Sequence, residues 1–224
     1  MADKKKARKL RLDSTTIYQR NFSFKHLKKR EDPKATLWNI SPPRWPGAPG
    51  SKLTPKQLSK FLMRAYDHSE TGAHMVLWLP ASELHQTEFN PLKDMGPWFP
   101  ASNIVSGGRK GMHIGYVYSK GVSAIADWDS IVLLDERNRR GSGSSHAMKF
   151  MLEELVDIAF NKADDGLPLC IDPFINRSGE LVYWTRRMGI PYVGYTSSGK
   201  LFDDLKEKLA QVELPGIQVR LPAT

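Results

Sequence analysis

Leu169-Cys170-Ile171-Asp172-Pro173-Phe174-Ile175-Asn176-Arg177-Ser178-Gly179 is the stretch on which the fold turns. The apolar run Leu167–Ile171 reads as a short strand, Pro173 closes it, and small polar residues lead into a helix over Gly179–Met188. A strand, a polar turn and a helix N-terminus together make a pocket suited to a carboxylate or phosphate, because backbone N–H groups point out of the helix end. A single glycine is not a glycine-rich loop. By spacing alone, an ordinary strand-to-helix connection fits these residues equally well.

Downstream, Tyr192–Tyr195 reads as a strand and Leu201–Leu209 as a helix. Upstream, Met148, Leu152, Leu155 and Ala159 share one face of a long amphipathic helix, preceded by the basic Gly/Ser-rich loop Arg137–Ser145. Ser130–Leu134, His113–Tyr118 and His74–Leu79 are strand-like, and the proline- and glycine-punctuated segment 81–111 reads as irregular. Thr54-Pro55-Lys56-Gln57 has the form of a capping box with proline in the first turn, opening a helix whose apolar face is Leu58, Phe61, Leu62 and Ala65. Further back, Ala35–Ile40 and Ser14–Tyr18 read as strands, with a helical turn over Phe22–Lys29. Strands alternating with helices at this spacing predict an α/β domain with a mostly parallel sheet. The chain has no internal repeat.

Its 224 residues suit one domain with a short tail, and six Trp, nine Phe and seven Tyr supply a core. The single cysteine, Cys170, excludes a disulfide framework or a cysteine zinc site. In its apolar run it reads as a small buried hydrophobe. No apolar stretch approaches the ~20 residues of a membrane span, and the N-terminus has no apolar signal core. These features point to a reducing cytoplasm.

The charge is uneven. Of the net +9, residues 1–30 account for all: eleven Lys and Arg against two Asp, while residues 31–224 carry 22 basic and 22 acidic groups. We read residues 1–13 as a basic disordered arm, with Lys4, Lys5, Lys6 and Arg8 available to phosphates, and residues 14–224 as the folded domain. A solubilising tail has the same composition. Arg109 and Lys110, between glycines, and Arg137, Arg139 and Arg140 are further candidates for phosphate contact.

The second informative segment is Asn39-Ile40-Ser41-Pro42-Pro43-Arg44-Trp45. Ligands of open parallel sheets sit beyond the carboxyl ends of strands. There Ser41 and stiff carbonyls around two prolines could accept hydrogen bonds from an amino group, and a flat neighbour could stack on a base. Taken alone, it is also an ordinary proline turn.

In combination and in this order, the segments resemble the permuted, beta-type DNA amino-methyltransferases from Thr16 to about Leu209. Ile17-Tyr18 matches the family's opening strand, Ser41-Pro42-Pro43-Arg44 its catalytic motif, and Met75–Pro80 the apolar strand after it. His146 and Lys149 match its next helix, Asp172-Pro173-Phe174 with Ser178-Gly179 its cofactor motif, and Arg187–Gly194 its second cofactor strand. The resemblance implies a Rossmann-like methyltransferase fold with helices on both faces of the sheet. It implies S-adenosylmethionine as cofactor, no metal, and methylation of N4-cytosine or N6-adenine in DNA, as in restriction–modification systems.

Carried over residue by residue, Ser41, Pro42, Pro43 and Arg44 would form the catalytic turn, with Trp45 stacking on the base. Lys149, Phe150, Asp172, Phe174, Ser178, Gly179 and Thr196 would hold the cofactor. Three positions depart from the family. Arg44 replaces an aromatic residue, the turn before Gly179 is one residue longer, and Val193-Gly194-Tyr195-Thr196 lacks the usual acidic ribose partner. The segment Lys120–Ser145 is short for target recognition, which predicts weak sequence specificity. The alternatives are a nucleic-acid-binding protein that keeps the fold without the chemistry, and a methyltransferase acting on RNA or protein.

Overall fold

The computed structural model describes residues 8–27, 34–42, 44, 46, 51, 53–83, 88–91, 93–108, 111–121, 132–135, 149, 152, 153, 155, 168–175 and 179–212. Among the described residues, nine strands form one sheet: β1 (Arg8–Leu12), β2 (Thr15–Gln19), β3 (Ala35–Ile40), β4 (Ser69–Pro80), β5 (Phe99–Gly108), β6 (Gly111–Ser119), β7 (Val132–Asp135), β8 (Cys170–Asp172) and β9 (Tyr192–Thr196). The helices are α1 (Pro55–Asp67), α2 (Glu180–Arg187) and α3 (Gly199–Ala210). Lys149, Leu152, Glu153 and Leu155 are also helical, within the segment expected to form the long helix.

The spatial order is β1-β2-β9-β8-β3-β4-β6-β5-β7. The run β2-β9-β8-β3-β4 is parallel throughout, and only the pairs β1/β2, β4/β6 and β5/β6 are antiparallel. The sheet is mostly parallel, as expected. Its central strands are buried on both faces, as parallel strands require. On one face Trp38, Ile40, Met75, Leu77 and Ile171 pack with Leu58, Leu62 and Ala65 of α1. On the other, Leu37, Val76, Cys170 and Tyr192 pack with Leu152 and Leu155, with Leu181 and Val182 of α2, and with Phe202, Leu205 and Leu209 of α3. None of the described helices is long and apolar enough to cross a membrane.

Local chemistry sets the helix starts. Both halves of the α1 capping box form: Gln57 N–H donates to Thr54 Oγ1 at 3.2 Å, and Thr54 N–H donates to Gln57 Oε1 at 2.8 Å. Such caps contribute about 1 kcal/mol. Ser198 caps α3 similarly, accepting from Leu201 N–H at 3.2 Å, so this helix begins at Gly199 rather than Leu201.

Two expectations are corrected. Part of the segment read as a disordered arm is β1, which pairs with β2 from Arg8↔Gln19 to Leu12↔Thr15. It is tied down by Arg186, which donates to the Leu12 carbonyl at 3.3 Å and to Asp13 at 3.1 Å. Likewise, the segment read as irregular contains the ten-residue β5. Pro100 is tolerated near its start beside a register irregularity, where no ladder N–H is needed. Pairing with β6 on one side and β7 on the other supplies what the composition of Phe99–Gly108 does not.

Candidate functional site

The chain leaves β3 through α1 to β4 in one direction and leaves β8 through α2 to β9 in the other. The adjacent strands β3 and β8 therefore flank a topological switch point, where open α/β sheets hold their ligands. The two segments that the sequence singles out end at this crevice. Asn39 lies on β3 and Asp172 on β8, and Asn39 Nδ2 donates to Asp172 Oδ2 at 3.1 Å. Trp78 Nε1 on β4 donates to Asn39 Oδ1 at 2.8 Å. Phe174 N–H donates to the other Asp172 oxygen at 3.1 Å, folding the chain sharply after β8. Ile175 N–H then donates to the Tyr195 carbonyl at 2.9 Å, which fixes the turn against β9.

Asp172 is only 2% exposed. Burial pushes its carboxyl up to about 7, and hydrogen bonds from Asn39 and Phe174 offset only part of that rise. Tyr192 is fully buried beside it. The same desolvation, then the Asp172 charge, raise the phenol well above its ordinary range. The Tyr192 hydroxyl interacts electrostatically with Asp172, and among the described residues it has no partner at good hydrogen-bond geometry. Gly194 makes room for it: a Cβ there would lie 2.5 Å from the Tyr192 hydroxyl and 2.7 Å from Ile175 Cδ1. Burial also raises the Cys170 thiol well above its usual range, which suits a core residue and not a nucleophile.

A buried acid with a raised folded-state pKa binds its proton more tightly when folded than when unfolded. The protein therefore loses stability as pH rises from about 4 through about 7, by on the order of 4 kcal/mol for this group. Urea denaturation of the wild type and Asp172→Asn across pH 5–8 should show this loss in the wild type and remove it in the variant. Parallel pH profiles would contradict the assignment.

Several residues picked from the sequence do meet here. Ser41 is half-buried at the end of β3, Pro42 is buried, and Arg44 is exposed beyond them. Phe174 is half-buried against the Phe61 ring, 5.6 Å between centroids. Gly179 is the N-cap of α2 at φ 61°, where a Cβ would also come within 2.3 Å of Leu205 Cδ2. Glycine is thus required both by backbone and by space. Thr196 is buried at the end of β9, its hydroxyl accepting from Ser198 N–H at 3.2 Å.

Other picks are placed differently. Lys149 pairs with Glu153 at 3.0 Å and lies 5.7 Å from the Trp184 ring centre, so its contacts do not reach Asp172. Arg8 sits in β1, paired with Asp203 and 4.7 Å over the Phe202 ring. Pro43, Trp45, Phe150, Ser178, Lys4, Lys5, Lys6, Arg109, Lys110, Arg137, Arg139 and Arg140 lie outside the described residues. Sequence reading missed the roles of Asn39, Trp78 and Tyr192. The available signal was Asn39, an amide in the otherwise largely apolar strand Ala35–Ile40.

No family model and no curated protein matches this sequence. Solved structures do. TTHA0409 from Thermus thermophilus, assigned as a DNA modification methylase, superposes with a TM-score of 0.60 at 13% identity, over 86% of this chain and 93% of that one. The complex of M1.HpyAVI with S-adenosylmethionine gives 0.57 at 10% identity, over 83% and 93%. The cytosine-N4-specific PvuII DNA methyltransferase gives 0.52 at 9% identity, over 89% and 94%. At such identities the likeness concerns the fold. This chain has the fold seen in these DNA modification methylases, at 9–13% sequence identity to them.

Proposed function

We propose that the protein is an S-adenosylmethionine-dependent methyltransferase acting on an exocyclic amino group of a DNA base, N4 of cytosine or N6 of adenine. The observation that carries this reading is the Asn39–Asp172 hydrogen bond across the switch point. It joins β3 and β8 just before Ser41-Pro42 and Pro173-Phe174, which supports reading the first pair as part of an amino-group acceptor set and the second as part of a cofactor pocket.

The pocket suits the cofactor's amino-acid end. Asp172 offers a carboxylate for an ammonium group, and the N-terminus of α2 beside it, starting at Gly179, carries the positive end of the helix dipole toward a carboxylate. Phe174 and Thr196 border the same crevice, whereas roles for Lys149, Phe150 and Ser178 rest on the family resemblance. The bound cofactor would supply an electrophilic methyl group. Ser41 Oγ and the Pro42 carbonyl would accept the amino hydrogens and aim the nitrogen lone pair at that methyl carbon. Positioning is the main catalytic device, and no metal is called for.

The target base leaves its stack to reach Ser41, with Arg44 or Trp45 available to stack on it. DNA is the partner, with weak sequence discrimination, and the setting is the cytoplasm. RNA shares the phosphate chemistry and is the first competitor substrate to include.

Incubation with S-adenosylmethionine labelled in the methyl group, followed by nucleoside mass spectrometry of duplex DNA, tests the proposal. We expect N4-methylcytosine or N6-methyladenine, and a rate at least about 100-fold lower for Ser41→Ala. Cofactor binding without any methylated nucleoside would favour a binding protein of the same fold. Methylated RNA or protein alone would reassign the substrate.

A further inference from the structure

β4 ends at Pro80, which pairs with His113 of β6. Because β6 runs antiparallel to β4, its first residues, Gly111 and Met112, project beyond the carboxyl edge of the parallel strands. That is the edge on which Ser41, Asp172 and Thr196 lie. Across the hairpin, Met112 pairs with Gly107, which has no side chain, and beyond Pro80 the chain leaves the ladder in the 3-10 turn Ala81–Glu83 beside β6. Met112 is 51% exposed.

Phe99, on the same hairpin, is 58% exposed but pairs with Ser119, which lies opposite His74, midway along β4 and away from its carboxyl end. The hairpin thus carries one exposed apolar side chain at each end, and of the two Met112 is at the site edge. β6 is two strands from β3, about 10 Å away at ~4.8 Å per strand. That is within the reach of one nucleotide swung out of a duplex toward Ser41.

We propose that Met112 is an apolar wedge that enters the base stack of duplex DNA at the site from which the target base departs. This rests on the proposed function, since a base drawn to Ser41 leaves a gap that water fills poorly and an unbranched thioether fills well. Met112 is flexible enough to fit either neighbouring base pair, in keeping with weak sequence discrimination.

Fluorescence anisotropy with a labelled duplex and the corresponding single strand tests this on the full chain. Met112→Ala should weaken duplex binding about tenfold and leave single-strand binding unchanged, because no stack has to be opened there. Phe99→Ala, similarly exposed at the opposite end, should change neither. Equal duplex affinity of wild type and Met112→Ala would overturn the wedge and leave the methyltransferase reading standing, as would equal losses on duplex and single strand. Absence of DNA binding by the wild type would refute the DNA substrate and the wedge together.

Discussion

Asp172→Ala is expected to abolish measurable binding of S-adenosylmethionine, a loss of at least about 100-fold in affinity, equivalent to about 3 kcal/mol. Among the described residues this carboxyl group is the one acid at the switch point, and it is oriented from two sides by Asn39 Nδ2 and Phe174 N–H. Its folded-state pKa of about 7 means that near neutrality the empty site holds a mixture of acid and carboxylate. A cationic ligand selects the carboxylate, so binding at pH 7 should release protons. Calorimetry in two buffers of different ionisation enthalpy would detect this as a buffer-dependent heat. Asp172→Asn separates charge from shape: it should remove the proton release and most of the affinity while keeping the turn. Unchanged affinity in both variants would show that the crevice does not hold the cofactor through this group.

Asn39→Leu should give the largest loss of stability among single substitutions at the site, about 3–5 kcal/mol. Asn39 is 1% exposed and serves two buried partners at once. Leucine would leave the Trp78 indole N–H without its acceptor and one Asp172 oxygen without its donor, each at a cost of about 1–3 kcal/mol. For a chain of this size the melting temperature should fall by roughly 10 °C. In a double-mutant cycle with Trp78→Phe, which removes the stranded donor, the penalty of Asn39→Leu should shrink by about 1 kcal/mol or more. Additive effects would show that the Trp78–Asn39 bond contributes little.

Local chemistry made much of the architecture legible in the sequence. Thr54, Pro55 and Gln57 specify the start of α1 through contacts within four residues, and the apolar run Met75–Leu79 specifies a doubly buried strand. The order of Ser41-Pro42-Pro43 before Asp172-Pro173-Phe174 pointed to the permuted family, and the fold matches that expectation. β5 was hidden, because Phe99–Gly108 has little strand character of its own and depends on partners that are distant or paired only through the hairpin. β1 was hidden for a related reason. Its charge is that of a solvated arm, and it is held by Asp203 and Arg186, each more than 170 residues away.

The sequence by itself determined the α/β alternation, the helix caps and the residue types at the two strand ends, all consequences of periodicity and short-range hydrogen bonding. Only the tertiary structure decided that β3 and β8 lie side by side. Their adjacency brings Asn39 and Asp172 within 3.1 Å across 133 positions of chain. It also decided that Asp172 is dry and that Tyr192 lies beneath it. A carboxyl's proton affinity is set by the water it has lost and the dipoles that replace it, and both depend on which strands pack together. In the same way, Met112 stands at the site edge because β6 runs antiparallel to β4 and starts beyond its last residue.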